Sequence, residues 1–310
     1  MSAEPRYLGG QAVMEGVMMR GLETWSVAVR NPDGSIDTVV HDAPGWTDSV
    51  NKIPLIRGVV TLAESLTLGF KALTWSADRA APEEEKLGKG AMAATMTTAF
   101  IFFAAVFVLL PLLGARFLAD ALDGQRVVFH LIEAALSLGI FVGYLLAIGR
   151  VPDIRRVFEY HGAEHKAIAA YENGVPLTVA DAQKFSTAHV RCGTNFLLTV
   201  MVVAIAFQAV VGRPDLPILI ASRLIGIPII AGISYEIIRF AASHQRWAWV
   251  RVLTTPGLTL QKLTTREPAD DQVEVALAAV DAVLSAEQRA EVAARNRPPA
   301  GGSEPSPAFG

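Results

Sequence analysis

The residues best suited to chemistry stand together in Glu159-Tyr160-His161-Gly162-Ala163-Glu164-His165-Lys166. On a helix, His161 and His165 lie one turn apart on a shared face, with Glu164 three residues after His161. This is the inverted zincin order, His-x-x-Glu-His, in which two imidazoles hold a metal and the carboxylate acts as base on a water. Glu159 opens the stretch. Glu172, eleven residues after His161, falls about 20° from the same stripe at 3.6 residues per turn. A second cluster reads His189-Val190-Arg191-Cys192-Gly193-Thr194. His and Cys three apart can also share a metal, and a nearby cation favours the thiolate. The expectation is that His161, His165, His189 and Cys192 gather round one divalent metal, with Glu164 as the catalytic base. Zinc suits this mixture of imidazole and thiolate. Four bound side chains would close the site and make it structural, whereas three would leave a position for water. Glu236 is a candidate distant ligand, and equally a partner for Arg239 three residues on.

These residues need rigid supports. Asn173-Gly174 supplies a left-handed cap to the first helix, and Pro176 prevents its continuation. Thr178, with Asp181 three later, starts a short second helix. On either side lie long apolar runs. The first, Ala91 to Ala115, contains no charge; others lie between Arg126 and Arg150, from Asn195 to Val211 and from Leu216 to Ile238. At 1.5 Å per residue such runs match a hydrocarbon layer of about 30 Å. The fold class expected is mainly α: a polytopic membrane protein with four transmembrane helices, a small N-terminal β-hairpin region and cytoplasmic helices.

The Lys and Arg distribution orients these spans. Residues 1–90 hold nine, the first short loop two, 150–194 six, the second short loop one, and the stretch from Arg239 to Arg297 eight. The cation-rich parts alternate with poor ones, which predicts both termini and the 150–194 loop on the cytoplasmic side of a bacterial inner membrane. The chain opens with polar residues, so no secretory signal is expected.

Composition agrees. Of 310 residues, 52% are hydrophobic and 18% charged, against about 25% charged in ordinary soluble domains. A single cysteine excludes a disulfide scaffold. A net charge of −3 gives no basic excess for nucleic acid, so the bilayer is the expected partner.

Outside the spans, Trp25–Val29 alternates with period two and Asn31-Pro32-Asp33-Gly34 is a turn signal, with a returning strand at Ile36–Val40. Gly9-Gly10-Gln11-Ala12-Val13-Met14-Glu15-Gly16 lacks the Lys-Ser/Thr ending of a phosphate loop. Ile56, Val59, Leu66, Phe70 and Leu73 share one face of an amphipathic helix, expected on the membrane surface or against the bundle. Trp247 and Trp249 fall where interfacial aromatics belong. The organisation expected is a β-rich segment at 1–53, the amphipathic helix and a linker (Pro82–Lys86) at 54–90, a transmembrane hairpin at 91–149, the His/Cys loop at 150–194, a second hairpin at 195–240, C-terminal helices at 241–285 and a disordered tail at 286–310.

Three ionisable residues fall within the apolar runs: His130, Glu133 and Arg223. Both Glu133 and Arg223 lie seven residues from the outer boundary of their helices, so an ion pair is expected, with a structural role favoured over a proton or ion path.

Several blocks together resemble one family. The stretch Gly9 to Arg20, Glu159 to Lys166, His189 to Thr194, and Ala231-Gly232-Ile233-Ser234-Tyr235-Glu236 are similar to the bacterial YqhQ-like proteins, a domain of unknown function (1385) labelled predicted metal-dependent enzymes. The resemblance runs over roughly residues 6–284. Gly21-Leu22 stand where that family often has Ser-Pro. It implies metal-dependent chemistry, and Glu15 and Arg20 of the first block become candidates for substrate contact or for a tight fold against the bundle. The function expected is a metal-dependent hydrolase acting at the membrane. The alternatives are a scaffold stapled by zinc, or a transporter or channel subunit using Glu133, His130 and Arg223, which would require a homo-oligomer. The sequence names no substrate.

Overall fold

A computed structural model describes residues 8–80, 88–122, 126–189, 192–212, 214–244 and 246–296. The Pro82–Lys86 linker, Val190-Arg191 and the chain beyond 296 lie outside the described residues.

The N-terminal segment is a four-stranded antiparallel meander: β1 (Gly9–Val13), β2 (Gly16–Arg20), β3 (Thr24–Arg30) and β4 (Ile36–Asp42). The expected hairpin is β3–β4. The glycine-rich opening adds a second one, β1–β2, pairing Gly9 with Arg20 and Val13 with Gly16 and turning through Glu15 at φ 51°. So the single hairpin expected becomes a sheet. Strands β2 and β3 are buried almost throughout, because both faces are covered, and period two is then lost.

One face carries Val17, Met19 and Ala28 against α6 (Pro152–Glu172), α11 (Asp270–Val283) and α12 (Ala286–Arg295). The other carries Val13, Trp25, Val27 and Val29 against Leu68 and Ala72 of α2 (Ile56–Ala80). Helix α2 also packs on α9 (Leu216–Ser243). A Cβ at Gly58 would fall 2.7 Å from the Tyr235 side chain, and one at Gly232 would fall 2.9 Å from the Leu55 carbonyl. Helix α2 packs on the sheet and α9 through Gly58, Leu68 and Ala72, while Ile56, Leu66, Phe70 and Leu73 of the expected apolar face stay exposed. The short α1 (Trp46–Val50) precedes it.

Among the described residues, four helical stretches are long and apolar enough to cross a bilayer: Ala93–Ala121, Val127–Ile148, Gly193–Val211 and Leu216–Ser243. The first comprises α3 (Lys89–Ala104), one π-helical turn (Ala105–Leu109) and α4 (Leu110–Ala121); the others are α5 (Arg126–Ile148), α8 (Gly193–Val211) and α9. Leu112, Ala115, Phe129 and Leu219 form a core among α4, α5 and α9. Phe100, Phe117 and Val210 stay 74%, 74% and 82% exposed, as expected of faces suited to lipid rather than water.

Helix α5 leads into α6, then the short α7 (Val179–Ala182), then α8; α9 leads into α10 (Ala248–Thr264). The polar elements therefore cluster at one end of the bundle, joined there by the sheet. Two boundaries differ from the sequence reading. Helix α9 runs on to Ser243, and the tail expected from residue 286 begins as α12, which Ser285 caps in a reciprocal box with Gln288.

Candidate metal centre

His161 and His165 project from α6 toward Cys192, the N-cap residue of α8. Their ligand atoms and the Cys192 sulfur lie within 4.8 Å of one another. Each imidazole is fixed from behind. His161 Nδ1 lies 2.8 Å from the Thr264 carbonyl at the end of α10, and His165 Nδ1 lies 2.5 Å from the Thr187 carbonyl. A carbonyl only accepts, so both imidazoles donate through Nδ1 and keep the lone pair on Nε2. That is the arrangement of metal-binding histidines, whose second nitrogen is anchored by a carbonyl or carboxylate.

His161 Nε2 sits 3.2 Å from Cys192 Sγ. Ligand atoms on one tetrahedral zinc stand roughly 3.3–3.6 Å apart, from the usual Zn–N and Zn–S lengths. This edge, a hydrogen-bond contact, is slightly shorter than ligand spacing, and the donor set fits a zinc-like ion. Burial holds the His165 imidazole below the usual histidine range, and its bond to Cys192 opposes this.

Glycines let these elements meet. A Cβ at Gly162 would fall 2.0 Å from the Arg266 carbonyl. Its absence lets the chain after α10 lie on α6, where the Arg266 amide donates to the Phe158 carbonyl at 2.9 Å, and this brings the Thr264 carbonyl to His161. A Cβ at Gly10 would fall 2.5 Å from Glu164 Oε1. The opening block thus roofs Glu164, which is 5% exposed. Burial pushes the Glu164 carboxyl above the usual range, with His161 and His189 pulling it back.

The other sequence candidates are placed as follows. His189 packs its ring 5.5 Å from that of His165, but its Nε2 faces Glu172 Oε2 at 3.6 Å. It therefore stands beside the three-residue group rather than in it. Its backbone is held by Gln261, which accepts from His189 N at 3.0 Å and donates to His189 O at 2.9 Å. Glu236 is not brought to the centre and does not pair chiefly with Arg239. Its carboxylate bonds Arg57 and accepts from the Leu55 amide at 3.2 Å, because α2 packs on α9 at that level. Glu159 accepts from Gln272 and Arg155. Glu15 pairs with Arg156 and lies 3.4 Å from the Tyr160 hydroxyl. Arg20 pairs with the buried Glu64. The last two thus tie the opening block to α6 and α2, the tight-fold alternative. Within the bundle, Arg223 bonds Glu133 at 2.5 Å, and His130 Nδ1 lies 3.7 Å from the same carboxylate.

Sequence reasoning missed Thr187, Thr264, Gln261 and Gly10. The first two act through carbonyls, which leave no side-chain signature. A glycine within the His-x-x-Glu-His helix was the one visible sign that a backbone passes there.

The architecture defines a mainly helical protein with four membrane-length helices, a small sheet and a His/His/Cys group where the two meet. The family described as Protein of unknown function (DUF1385) matches residues 53–286. An uncharacterised protein YqhQ of Bacillus subtilis (strain 168) is 35% identical, over 93% of this chain and 95% of the relative. The chain belongs to this family. No solved structure matches it.

Proposed function

We propose that His161, His165 and Cys192 hold a divalent metal, zinc by the chemistry of the donors, and that the protein is a metal-dependent hydrolase at the membrane. One observation carries this reading: three donors lie within 4.8 Å of one another, and both imidazoles have their protons drawn to main-chain carbonyls on the far side. When bound, such a metal supplies Lewis-acid polarisation of a substrate oxygen or a water. The chain supplies the rest. Thr187 and Thr264 fix the imidazole tautomers. Gly10 and the sheet exclude bulk water from Glu164, whose carboxylate takes the proton released by the attacking water and hands it to the leaving group. With His189 turned to Glu172, three protein ligands leave a position for substrate, which favours catalysis over a closed structural site.

Metal analysis of the purified protein tests this. Wild type is expected to carry a single divalent metal, lost in Cys192→Ser. Glu164→Gln is expected to keep the metal and lose the cellular function. Absence of metal from wild type, or full function in Glu164→Gln, overturns the corresponding half of the reading.

A further inference from the structure

Helix α10 is built differently from the bundle helices. Trp249, Val252 and Leu253 on its first turns are 51%, 70% and 68% exposed. At its start Trp247, Trp249, His244 and Phe240 form one aromatic group, with ring centroids between 4.2 and 6.1 Å apart, flanked by the exposed Arg246 and Arg251. Exposed Trp and Arg beside an apolar helical face are the anchors of a segment lying in a bilayer interface.

Behind this rim, α8, α9 and α10 enclose a mostly apolar cleft of about 100 Å³, walled by Thr199, Ile237, Phe240 and Thr254 and ending at Asn195 and Gly257. This is well below the roughly 300 Å³ of ordinary small-molecule pockets, so it suits a few methylenes of one alkyl chain and not a fused ring system. Its inner end is the first turn of α8, where Asn195 N donates to the Cys192 carbonyl at 3.0 Å. Gly257 closes the wall, since a Cβ there would fall 2.0 Å from Asn195 Oδ1. Both walls continue into the centre: α8 is capped by Cys192, and α10 ends at Thr264, the His161 acceptor, about 10 Å beyond Gly257 at 1.5 Å per residue.

We propose that this cleft receives the alkyl chain of a bilayer amphiphile and presents its polar head to the His161/His165/Cys192 centre. The proposal rests on the metal-centre reading and gives it a substrate class: a lipid drawn sideways from the membrane. The aromatic rim holds α10 at the depth where chains meet heads, and Ile237 and Phe240 of the cleft wall are themselves 45% and 44% exposed.

Photolabelling tests it on the full chain in phosphatidylcholine vesicles, each carrying a trace of a phosphatidylcholine with a diazirine at the chain end or in the head. The chain-end probe is expected to mark peptides containing Ile237–Ala241 and Thr254–Gly257, and the head probe peptides of α6 and the start of α8. Thr254→Trp and Thr199→Trp, which fill the cleft from opposite walls, are expected to lower the chain-end signal several-fold while metal content is unchanged. Val252→Trp, on the outer face, should leave it intact. Equal labelling in a cleft-filled variant that retains its metal overturns the proposal, as does chain-end labelling no stronger at the cleft than along α4 and α5. Cleft labelling in a protein that binds no metal would instead overturn the metal reading and leave the chain-binding cleft standing.

Discussion

In the bundle, Arg223 bonds Glu133 and His130 leans on the same carboxylate. Beside the sheet, His161 and His165 send their protons to carbonyls behind them and turn bare nitrogens toward Cys192. Both groups are ionisable and shielded from water. The first is closed, because its charges answer each other and the side chains of Arg223 and Glu133 are 10% and 14% exposed. The second has no such guanidinium–carboxylate pair, and its three donors lie within 4.8 Å of one another around Cys192. A buried polar group is retained either because it satisfies its neighbours or because it awaits something. These two groups divide along that line. The trio within the bundle is therefore satisfied by its own members.

The comparison breaks most visibly at the centre. Cys192→Ser or His161→Ala is expected to bring bound metal to background, a larger loss than the ten- to hundredfold typical of residues one layer out. Glu133→Gln should leave metal content untouched. Metal analysis of the purified variants decides it; equal metal loss in Glu133→Gln would mean that the two groups are one system.

The next effect belongs to the bundle. Arg223→Leu leaves Glu133 without its cation among apolar helices, at a cost of about 3 kcal/mol. Replacing both by Leu is expected to recover most of it, since an ion pair exchanged for packed apolar groups is often neutral. Thermal unfolding in detergent should show the single variants low and the double near wild type. Charge exchange, Arg223→Glu with Glu133→Arg, should likewise outperform either single change. A double variant as weak as the singles would mean that the pair does more than neutralise itself.

How far the sequence foretold these groups follows from their physics. The four apolar stretches were legible because long helical runs of high hydropathy with few charges need no tertiary context. Glu133 and Arg223 were legible because each lies at the same depth on its own helix. His161 and His165 shared a face by helical spacing alone. What spacing cannot give is where a loop turns its side chains: His189 joined Glu172, and Glu236 met Arg57, because helices α7 and α2 arrived where only packing could put them. The sheet was half-hidden, since β2 is buried on both faces and shows no alternation, and the opening glycines carried no chemical pattern until Glu164 was found beneath Gly10. That contact is testable. Gly10→Ala sets a methyl against the Glu164 side chain, an overpacking worth about 2 kcal/mol. It should impair the cellular function as Glu164→Gln does while sparing the metal. Normal function in Gly10→Ala would show that the roof is incidental.

The smallest effect sharpens the distinction between a closed pair within the bundle and one outside it. Glu64 is 1% exposed. Burial pushes its carboxyl up, but the Thr47 amide at 3.0 Å, the Thr47 hydroxyl at 2.9 Å and the Arg20 guanidinium outweigh burial and hold it below the usual range. A carboxylate depressed in the folded state stabilises fully above its unfolded value of about 4.3, and that contribution is lost as the pH falls through the folded value. Glu64→Gln keeps an oxygen for Thr47 and loses only the charge, so about 1.5 kcal/mol is expected at neutral pH. The gap in thermal midpoint between wild type and Glu64→Gln should then hold from pH 7 down to about pH 5 and narrow below it. A gap independent of pH would mean that Glu64 works through shape alone, and Arg20 would then be available for a role beyond tying β2 to α2.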